Sequence, residues 1–270
     1  MPSEPPSHAS TLAWLLGMPQ PQPSPLQANE AALLELVHAV LRQRELPAGL
    51  VPRAAAVIPQ LLRLLRHQSS RQEIVERITK DMVLTAEVLR IAQSPYYRTK
   101  GEVDSLDKAV MIIGINGVQA AIARVVLKPM YDSSSGGLTA QAAARGWQYS
   151  ERQADCCADL TVQSGLERYE GFLAGTLHGI GRTALLRVLD RAGICPAWPC
   201  SQALDEALTV CSNQLFGRYI ADMHLTPALT EAGQSLAQDG RAGPAGSLPW
   251  LLRESERLST LSLLAQPIEA

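Results

Sequence analysis

The fold class is decided by residues 78–122, ITKDMVLTAEVLRIAQSPYYRTKGEVDSLDKAVMIIGINGVQAAI. Their apolar side chains recur every three or four positions, which is the spacing of one helix face and not the alternation of a strand. Asp81 stands before the first apolar run, where its carboxylate can accept hydrogen bonds from unpaired backbone N–H groups. Pro95 ends that run, because the residue before a proline is pushed out of helical geometry.

The same stretch predicts a second pair of helices. Asp104 or Ser105 can cap LDKAVMIIG, and Gly114 and Gly117 break this run from VQAAIARVVLK. In the first helix Leu89 lies on the apolar face. We therefore expect Leu89→Ala to cost about 2 to 5 kcal/mol, the usual range for a buried leucine.

Helical patterns continue on both sides of this stretch. Upstream, residues 29–45 repeat apolar side chains at helical spacing. Downstream, the polar, glycine-rich YDSSSGG at 131–137 reads as an internal linker, and further helical runs follow it as far as the amphipathic WLLRESERLSTLSLL at 250–264. Alanine and leucine dominate and aromatic residues make up 4% of the chain, which favours helices over sheets. The sequence predicts an all-α fold.

Composition excludes several functional classes. The formal net charge is -2 and the pI is about 6.2, whereas a protein that relies on phosphate contacts is usually basic. The five cysteines are odd in number and irregularly spaced, which indicates reduced thiols and not a disulfide framework. No apolar stretch is expected to span a bilayer, and TLAWLLG at 11–17 is too short for a signal peptide. We expect a soluble, cytoplasmic protein.

The order and spacing of several motifs resemble the front half of an HDOD domain, the HD-related output domain of bacterial signalling proteins. The motifs are Asp81, LT-x-x-VLR-IA at 84–92, SPYY at 94–97, SL-x-x-AV at 105–110, and the glycine pair 114 and 117. Residues 139–238, with FLAGTLHGIGR, are similar to the HD-like half of that family. The resemblance implies a multi-helix HD-like bundle in two helical halves.

The resemblance also implies where a metal site would lie. The HD phosphohydrolases use a histidine, a His-Asp pair and a distant aspartate to hold a cation that acidifies water. Here the first histidine position holds Tyr149, and the pair is His178-Gly179. The last aspartate has no clear counterpart, although Asp190 and Asp222 are nearby in sequence. A neutral phenol is a poor ligand and glycine has no side chain, so we expect no metal, no cofactor and no catalytic residue.

Two interpretations of His178-Gly179 remain open. A helix that ends on glycine at its C′ position, with a histidine in its last turn, explains both residues. The alternative is a relic pocket for a small anion or a partner side chain, formed by Trp147, Tyr149, His178, Gly179 and Arg182.

Other motifs give weaker signals. CPAWPC at 195–200, with Cys211 and His224, fits no common zinc spacing, and its prolines explain it as a turn. IGINGVQAAIARVVLK has the outline of a helix-turn-helix, in which the second helix offers Gln119, Arg124 and Lys128. The other residues of that helix are apolar, so DNA is not an expected partner.

Three segments are predicted along the chain: a proline-rich flexible tail (1–28), an HDOD-like domain (29–238) with halves at about 46–131 and 139–238, and a loop with a C-terminal amphipathic helix (239–270). The expected function is a non-catalytic bacterial signalling or regulatory module that binds other proteins. One alternative is a metal-dependent HD-type phosphohydrolase with unconventional ligands. The other is a DNA-associated regulator.

Overall fold

The computed structural model describes residues 9–51, 71–94, 97, 101, 103–131, 136–241 and 243–265. The α-helices along this part of the chain are α1 (Thr11–Leu16), α2 (Ala28–Leu41), α3 (Arg71–Thr79), α4 (Met82–Ala92), α5 (Leu106–Leu127), α6 (Gly137–Gln163), α7 (Arg168–Ala192), α8 (Gln202–Met223), α9 (Pro227–Asp239) and α10 (Leu248–Leu264). A 3-10 turn, Lys128–Met130, follows α5. The predicted all-α class is confirmed, since the extended pairing within these residues is limited to a bridge between Gln22 and Ser201.

The chain divides into two compact units. The large unit comprises Met1–Pro52 and Met130–Ala270, and the small unit comprises Arg53–Pro129. The small unit lies within the predicted first half of the domain. The N-terminal residues belong with the C-terminal half, which the sequence did not predict.

Local capping shapes the small unit as predicted. The Asp81 carboxylate accepts hydrogen bonds from the backbone N–H groups of Val83 and Leu84, at 2.9 and 3.0 Å, and so begins α4. The Ser105 hydroxyl accepts from the Lys108 N–H and begins α5. Gly114 has φ 65° and ψ −175°, which breaks α5 into two pieces at the predicted glycine. The helices enclose a core whose buried members include Ile78, Val88, Ile91, Val110, Ile113 and Val118.

Helix α5 corrects the expectation about apolar length. By length and composition Leu106–Leu127 could cross a membrane, with a mean hydropathy of 1.9 over its most apolar window. Nearly half of that window, 44%, is buried inside the protein, and the backbone break at Gly114 interrupts the helix. Core helices of globular proteins have the same composition, so α5 is weak evidence for a span.

The structure refines the expectation for Leu89. Its side chain is only partly buried, although it packs against the core of the small unit. We expect Leu89→Ala to lower the unfolding free energy of the small unit by about 2 kcal/mol, the low end of the range for leucine truncation. Val83→Ala is the control on the same helix, because 65% of Val83 is exposed. Denaturation followed by far-UV circular dichroism checks both variants, and equal losses would contradict the assigned core.

The proline-rich N-terminal segment packs against the large unit from residue 9 onward. Helix α1 is capped by the Ser10 hydroxyl, and most of its side chains are buried. Beyond it, the Gln22 N–H donates to the Cys200 carbonyl and the Gln22 carbonyl accepts from the Gln202 N–H. The prediction of a flexible tail is therefore wrong for residues 9–27. Prolines cannot donate backbone hydrogen bonds within the segment, but docking against other helices supplies hydrogen bonds in their place. Residues 1–8 lie outside the described part of the chain.

The centre of the large unit is α7, which α6, α8 and α10 contact. Glycines let these neighbours approach closely. A Cβ on Gly175 would lie 2.7 Å from the Ala154 Cα and from the Gln153 carbonyl of α6. A helical glycine costs about 1 kcal/mol in helix propensity, which the closer packing of the two helices offsets.

Candidate functional site

Helix α7 carries His178 and Gly179 in its interior. The helix runs to Ala192, and its C-cap glycine is Gly193, which has φ 67°. The interpretation of His178-Gly179 as a helix end is therefore wrong. The local pattern was misleading because a glycine inside a helix, selected for close packing, looks the same in sequence as a terminating one.

The space beside Gly179 is filled by Tyr131. A Cβ built on Gly179 would lie 2.7 Å from the Tyr131 hydroxyl oxygen and 2.8 Å from its Cε1. The Tyr131 hydroxyl donates to the Thr176 carbonyl, one turn earlier in α7. Burial raises the pKa of Tyr131 to about 12, so the group is a neutral phenol. A tyrosine ring thus occupies the place that an aspartate side chain would need at this position.

Both nitrogens of His178 are engaged in hydrogen bonds within the core. Its Nδ1 lies 2.8 Å from the Gln153 amide nitrogen, and its Nε2 lies 3.0 Å from the Asn213 Oδ1. The amide nitrogen can only donate and the carbonyl oxygen can only accept, so the imidazole is neutral with its proton on Nε2. Burial, together with the positive charge of Arg182, lowers the pKa of His178 to about 4. In this arrangement His178 has no lone pair free for a metal.

Tyr149, which the sequence resemblance assigned to the first histidine position of the HD pattern, lies beneath a buried ion pair. Its hydroxyl donates to the Glu256 carbonyl oxygen at 3.1 Å, and burial raises its pKa to about 12. The Arg182 guanidinium lies 4.8 Å from the centre of the Tyr149 ring, within cation–π range. The Arg182 Nη2 donates to the Glu256 Oε1 at 2.7 Å, and both side chains are buried. Burial alone would raise the pKa of Glu256, but the charge of Arg182 keeps it below its ordinary value.

A small cavity lies over these residues. Tyr149, Gly179 and Arg182 line it together with Tyr131 and with Leu15 of α1. Its volume is about 20 Å³. A water molecule needs about 10 to 15 Å³, so the cavity can hold one water but is too small for a phosphate group.

Three of the five residues predicted for a relic pocket meet in this cavity, namely Tyr149, Gly179 and Arg182. His178 does not line the cavity and bonds to Gln153 and Asn213 instead. Trp147 is half-buried and packs edge-on against Tyr131, with ring centres 5.5 Å apart.

Tyr131, Glu256 and α1 lie at this site without having been predicted there from the sequence. Glu256 had a usable signal, since it is a charged residue on the apolar face of α10 between Leu252 and Leu263. Tyr131 begins the stretch that the sequence predicts as a linker, and no neighbouring residue indicates a contact with Gly179.

Neither aspartate near the HD pattern joins the site. The Asp190 carboxylate accepts hydrogen bonds from the backbone N–H groups of Leu138 and Thr139, at 2.7 and 3.0 Å, and thereby caps α6. Asp222 is exposed on α8. Among the described residues no three His, Cys, Asp or Glu side chains are grouped so that they could hold a metal ion.

The weaker motifs have structural roles. All five cysteines are free thiols, and burial raises the pKa of Cys200 to about 12, which favours the protonated form over a metal-binding thiolate. In the helix-turn-helix outline, Arg124 is buried and lies 3.8 Å from the Glu87 carboxylate. It does not project to where a DNA phosphate could reach it.

Comparison with known proteins agrees with this fold. The family model described as HDOD domain matches residues 51–215. A structure named "Putative metal-dependent phosphohydrolase", from Shewanella amazonensis SB2B, aligns with a TM-score of 0.65 at 18% identity, over 90% of this chain and 87% of that one. An HDOD domain protein with unknown function from Geobacter sulfurreducens aligns at 0.57 and 17%, over 89% and 83%. A "Putative signal transduction protein" from Marinobacter aquaeolei VT8 aligns at 0.53 and 21%, over 87% and 57%. No curated protein matches the chain significantly.

Proposed function

Because this chain belongs to the HDOD domain family, we propose that it is a non-catalytic signalling or regulatory module that acts by binding other proteins in the bacterial cytoplasm. One observation carries the proposal: the positions that hold metal ligands in HD phosphohydrolases are occupied by groups that cannot coordinate. Tyr149 is a buried neutral phenol, Gly179 is covered by Tyr131, and both nitrogens of His178 are already hydrogen-bonded.

Surface chemistry in the small unit supports binding to protein. Met82 and Val83 at the start of α4 are 87% and 65% exposed, and Met111 and Ile115 of α5 are 57% and 50% exposed. Exposed apolar side chains of this size can form a surface that another protein covers where they adjoin one another. The signal-transduction name of the Marinobacter protein points to the same class of function.

Two alternatives receive less support. The Shewanella name suggests a metal-dependent phosphohydrolase, but the cavity at the corresponding place is too small for a phosphate. A DNA-associated regulator would need basic side chains on the second helix of the glycine-broken pair, and there Arg124 is buried beside a carboxylate.

Elemental analysis tests the non-catalytic reading. After purification without chelators, from cells supplied with manganese and iron, we expect well below one transition metal ion per chain. The reason is that Tyr149, His178 and Gly179 offer no free donor atom to a metal ion. Hydrolysis of a chromogenic phosphodiester with added Mn²⁺ should stay at the level of a buffer blank. About one Mn, Fe or Zn per chain, or metal-dependent turnover, would contradict the proposal.

The partner itself is accessible by crosslinking. The full chain, captured from its native host after in-cell crosslinking, should yield one or more proteins linked to defined surface residues. Recovery of nucleic acid in place of protein, released by salt, would favour the DNA-associated alternative.

A further inference from the structure

We propose that the groove in which α1 lies is a binding site for a short amphipathic helical peptide, and that a partner protein's peptide exchanges there with residues 9–18 of this chain. The groove is formed by side chains of α6, α8 and α10 above the small cavity. The inference rests on the proposed function, since it names the chemistry of the partner.

The apolar contacts of α1 are those of a docked peptide. A helix of six residues is not stable alone in water, so its conformation is held by the groove. Leu12, Leu15 and Leu16 are all buried, and Leu15 reaches the cavity above Gly179. Spacings of three and four residues place such anchors on one face of a helix, as in peptides that bind in grooves.

The polar contacts hold both ends of the peptide. At the C-terminal end, the Gln141 side chain donates to the Leu16 carbonyl at 2.6 Å, and the Arg145 Nη1 donates to the Trp14 carbonyl at 3.1 Å. These two bonds are made to the peptide backbone, so they do not depend on the identity of the side chains at positions 14 and 16. At the N-terminal end the Ser10 hydroxyl donates to the Asp205 carboxylate at 2.5 Å, which requires a hydroxyl residue.

The C-terminal end also requires glycine. Gly17 has φ 64°, and a Cβ on it would overlap the guanidinium of Arg145. The groove therefore selects peptides with a definite pattern. A hydroxyl residue comes first, and apolar residues follow it two, five and six positions later. A glycine stands directly after the last apolar residue.

The groove's floor shows that the chain's own segment is an incomplete ligand. Arg182 is buried, and no described residue accepts a hydrogen bond from its Nη1. Leu15 lines the same cavity and offers only methyl groups. With the chain's own segment in place, only the one water that fits the cavity can accept this bond, whereas a partner peptide with an amide at that position would supply an acceptor directly.

The segment lies outside the residues that the family model matches, as does α10. The family model covers residues 51–215, while α6, α7 and α8 pack against one another without α1. Prolines 19 and 21 connect α1 to the Gln22–Ser201 bridge, which would hold residues from 22 onward in place if α1 left the groove.

The test uses the full chain with its own segment weakened. The double variant Leu12→Asp, Leu16→Asp places a negative charge at each of two apolar anchors of α1. Binding of a fluorescent peptide with the sequence of residues 8–19, HASTLAWLLGMP, is measured by anisotropy. We expect the double variant to bind at least about 100-fold more tightly than the wild-type chain, because an attached segment competes at an effective concentration near millimolar. A peptide with Leu15→Gln should bind more tightly still, and one with Leu12→Asp should not bind.

Each other outcome counts against the proposal. A double variant that keeps its helical circular dichroism but binds neither peptide would overturn it. If the double variant does not fold, hydrogen exchange on the wild-type chain tests the proposal instead. We expect the amides of residues 13–17 to exchange by local opening, well before those of α7. Exchange of these amides only with global unfolding would make α1 part of the core and contradict the proposal.

Wild-type dimers that disappear in the double variant would assign the groove to a second copy and overturn the partner-peptide assignment. Bound metal or phosphodiester turnover would defeat the proposed function while leaving peptide binding intact, so the two failures are distinguishable.

Discussion

Gly181→Ala is expected to lower the unfolding free energy of the large unit by about 3 kcal/mol, the upper end of the range for overpacking a core. Gly181 lies in α7 where α8 crosses it. A Cβ there would overlap the Ser212 backbone carbonyl and lie 2.8 Å from the Phe216 Cβ. Because the obstacle is backbone, a rotamer change cannot relieve it, and α8 would have to move away from α7.

Two glycines that line the small cavity, Gly146 and Gly179, provide comparisons for this expected loss of stability. A Cβ on Gly146, in α6, would lie 3.7 Å from Tyr131, which is ordinary contact. Gly146→Ala should be neutral or stabilising by up to about 1 kcal/mol, since alanine is the better helix former. Gly179→Ala should fall between the two, because its obstacle is the Tyr131 side chain.

Tryptophan fluorescence during chemical denaturation measures these effects. All four tryptophans, Trp14, Trp147, Trp198 and Trp250, belong to the large unit, so their signal reports that unit. If Gly181→Ala changed the unfolding free energy by less than about 0.5 kcal/mol, the size of an ordinary surface substitution, the close crossing of α7 and α8 would be wrong.

The elements that the sequence predicted are those set by neighbouring residues. Asp81 and Ser105 cap helices because each side chain reaches backbone N–H groups two or three residues away. Gly114 breaks α5 because left-handed backbone geometry suits glycine. Such features need only a short window of sequence, and the family motifs of residues 78–122 lie among them.

The elements that were missed depend on residues far apart in the chain. Nothing near Gly179 indicates that Tyr131 will fill its vacant side-chain space, so the sequence leaves a terminating glycine and a relic pocket as the two interpretations. Nothing near Ser10 indicates the carboxylate of Asp205, so a docked segment was interpreted as a tail. The resemblance proposed an altered metal pattern at Tyr149 and His178-Gly179, and the contacts of these residues became visible only with the fold.

His178 is expected to make the stability of the large unit fall as the pH drops from about 6.5 to about 4. Burial disfavours the charged imidazole most strongly, and the charges of Arg182 and Arg253 add to this, while Glu256 and the hydrogen bond with Asn213 oppose it. The net result is a folded-state pKa of about 4, against 6.5 when unfolded. At pH values below 6.5 the unfolded chain binds a proton at His178 and the folded chain does not, so protonation favours unfolding.

The size of this loss follows from the two pKa values. At 1.36 kcal/mol per unit, the difference of 6.5 − 4 = 2.5 units corresponds to about 3 kcal/mol, complete once the pH is below about 4. Glu256 acts in the same direction at the lower end of this range. Its pKa is held below the ordinary value, so its contribution is present at neutral pH and is lost as the pH falls through its folded-state pKa.

The variant His178→Gln separates the contribution of His178 to this pH dependence from that of Glu256. Glutamine can keep a hydrogen bond to Asn213 or Gln153 but does not titrate. The variant's unfolding free energy, relative to wild type, should therefore improve by about 2 to 3 kcal/mol between pH 7 and pH 4, as the histidine penalty grows in the wild type alone. His38→Gln is the matched control, because His38 is on the surface of α2 and its side chain is 38% exposed. Urea denaturation followed by tryptophan fluorescence at half-unit pH steps gives both differences. Parallel curves for wild type and His178→Gln would mean that His178 takes up its proton in the folded protein, and that the core around α7 is open enough to hydrate an imidazolium.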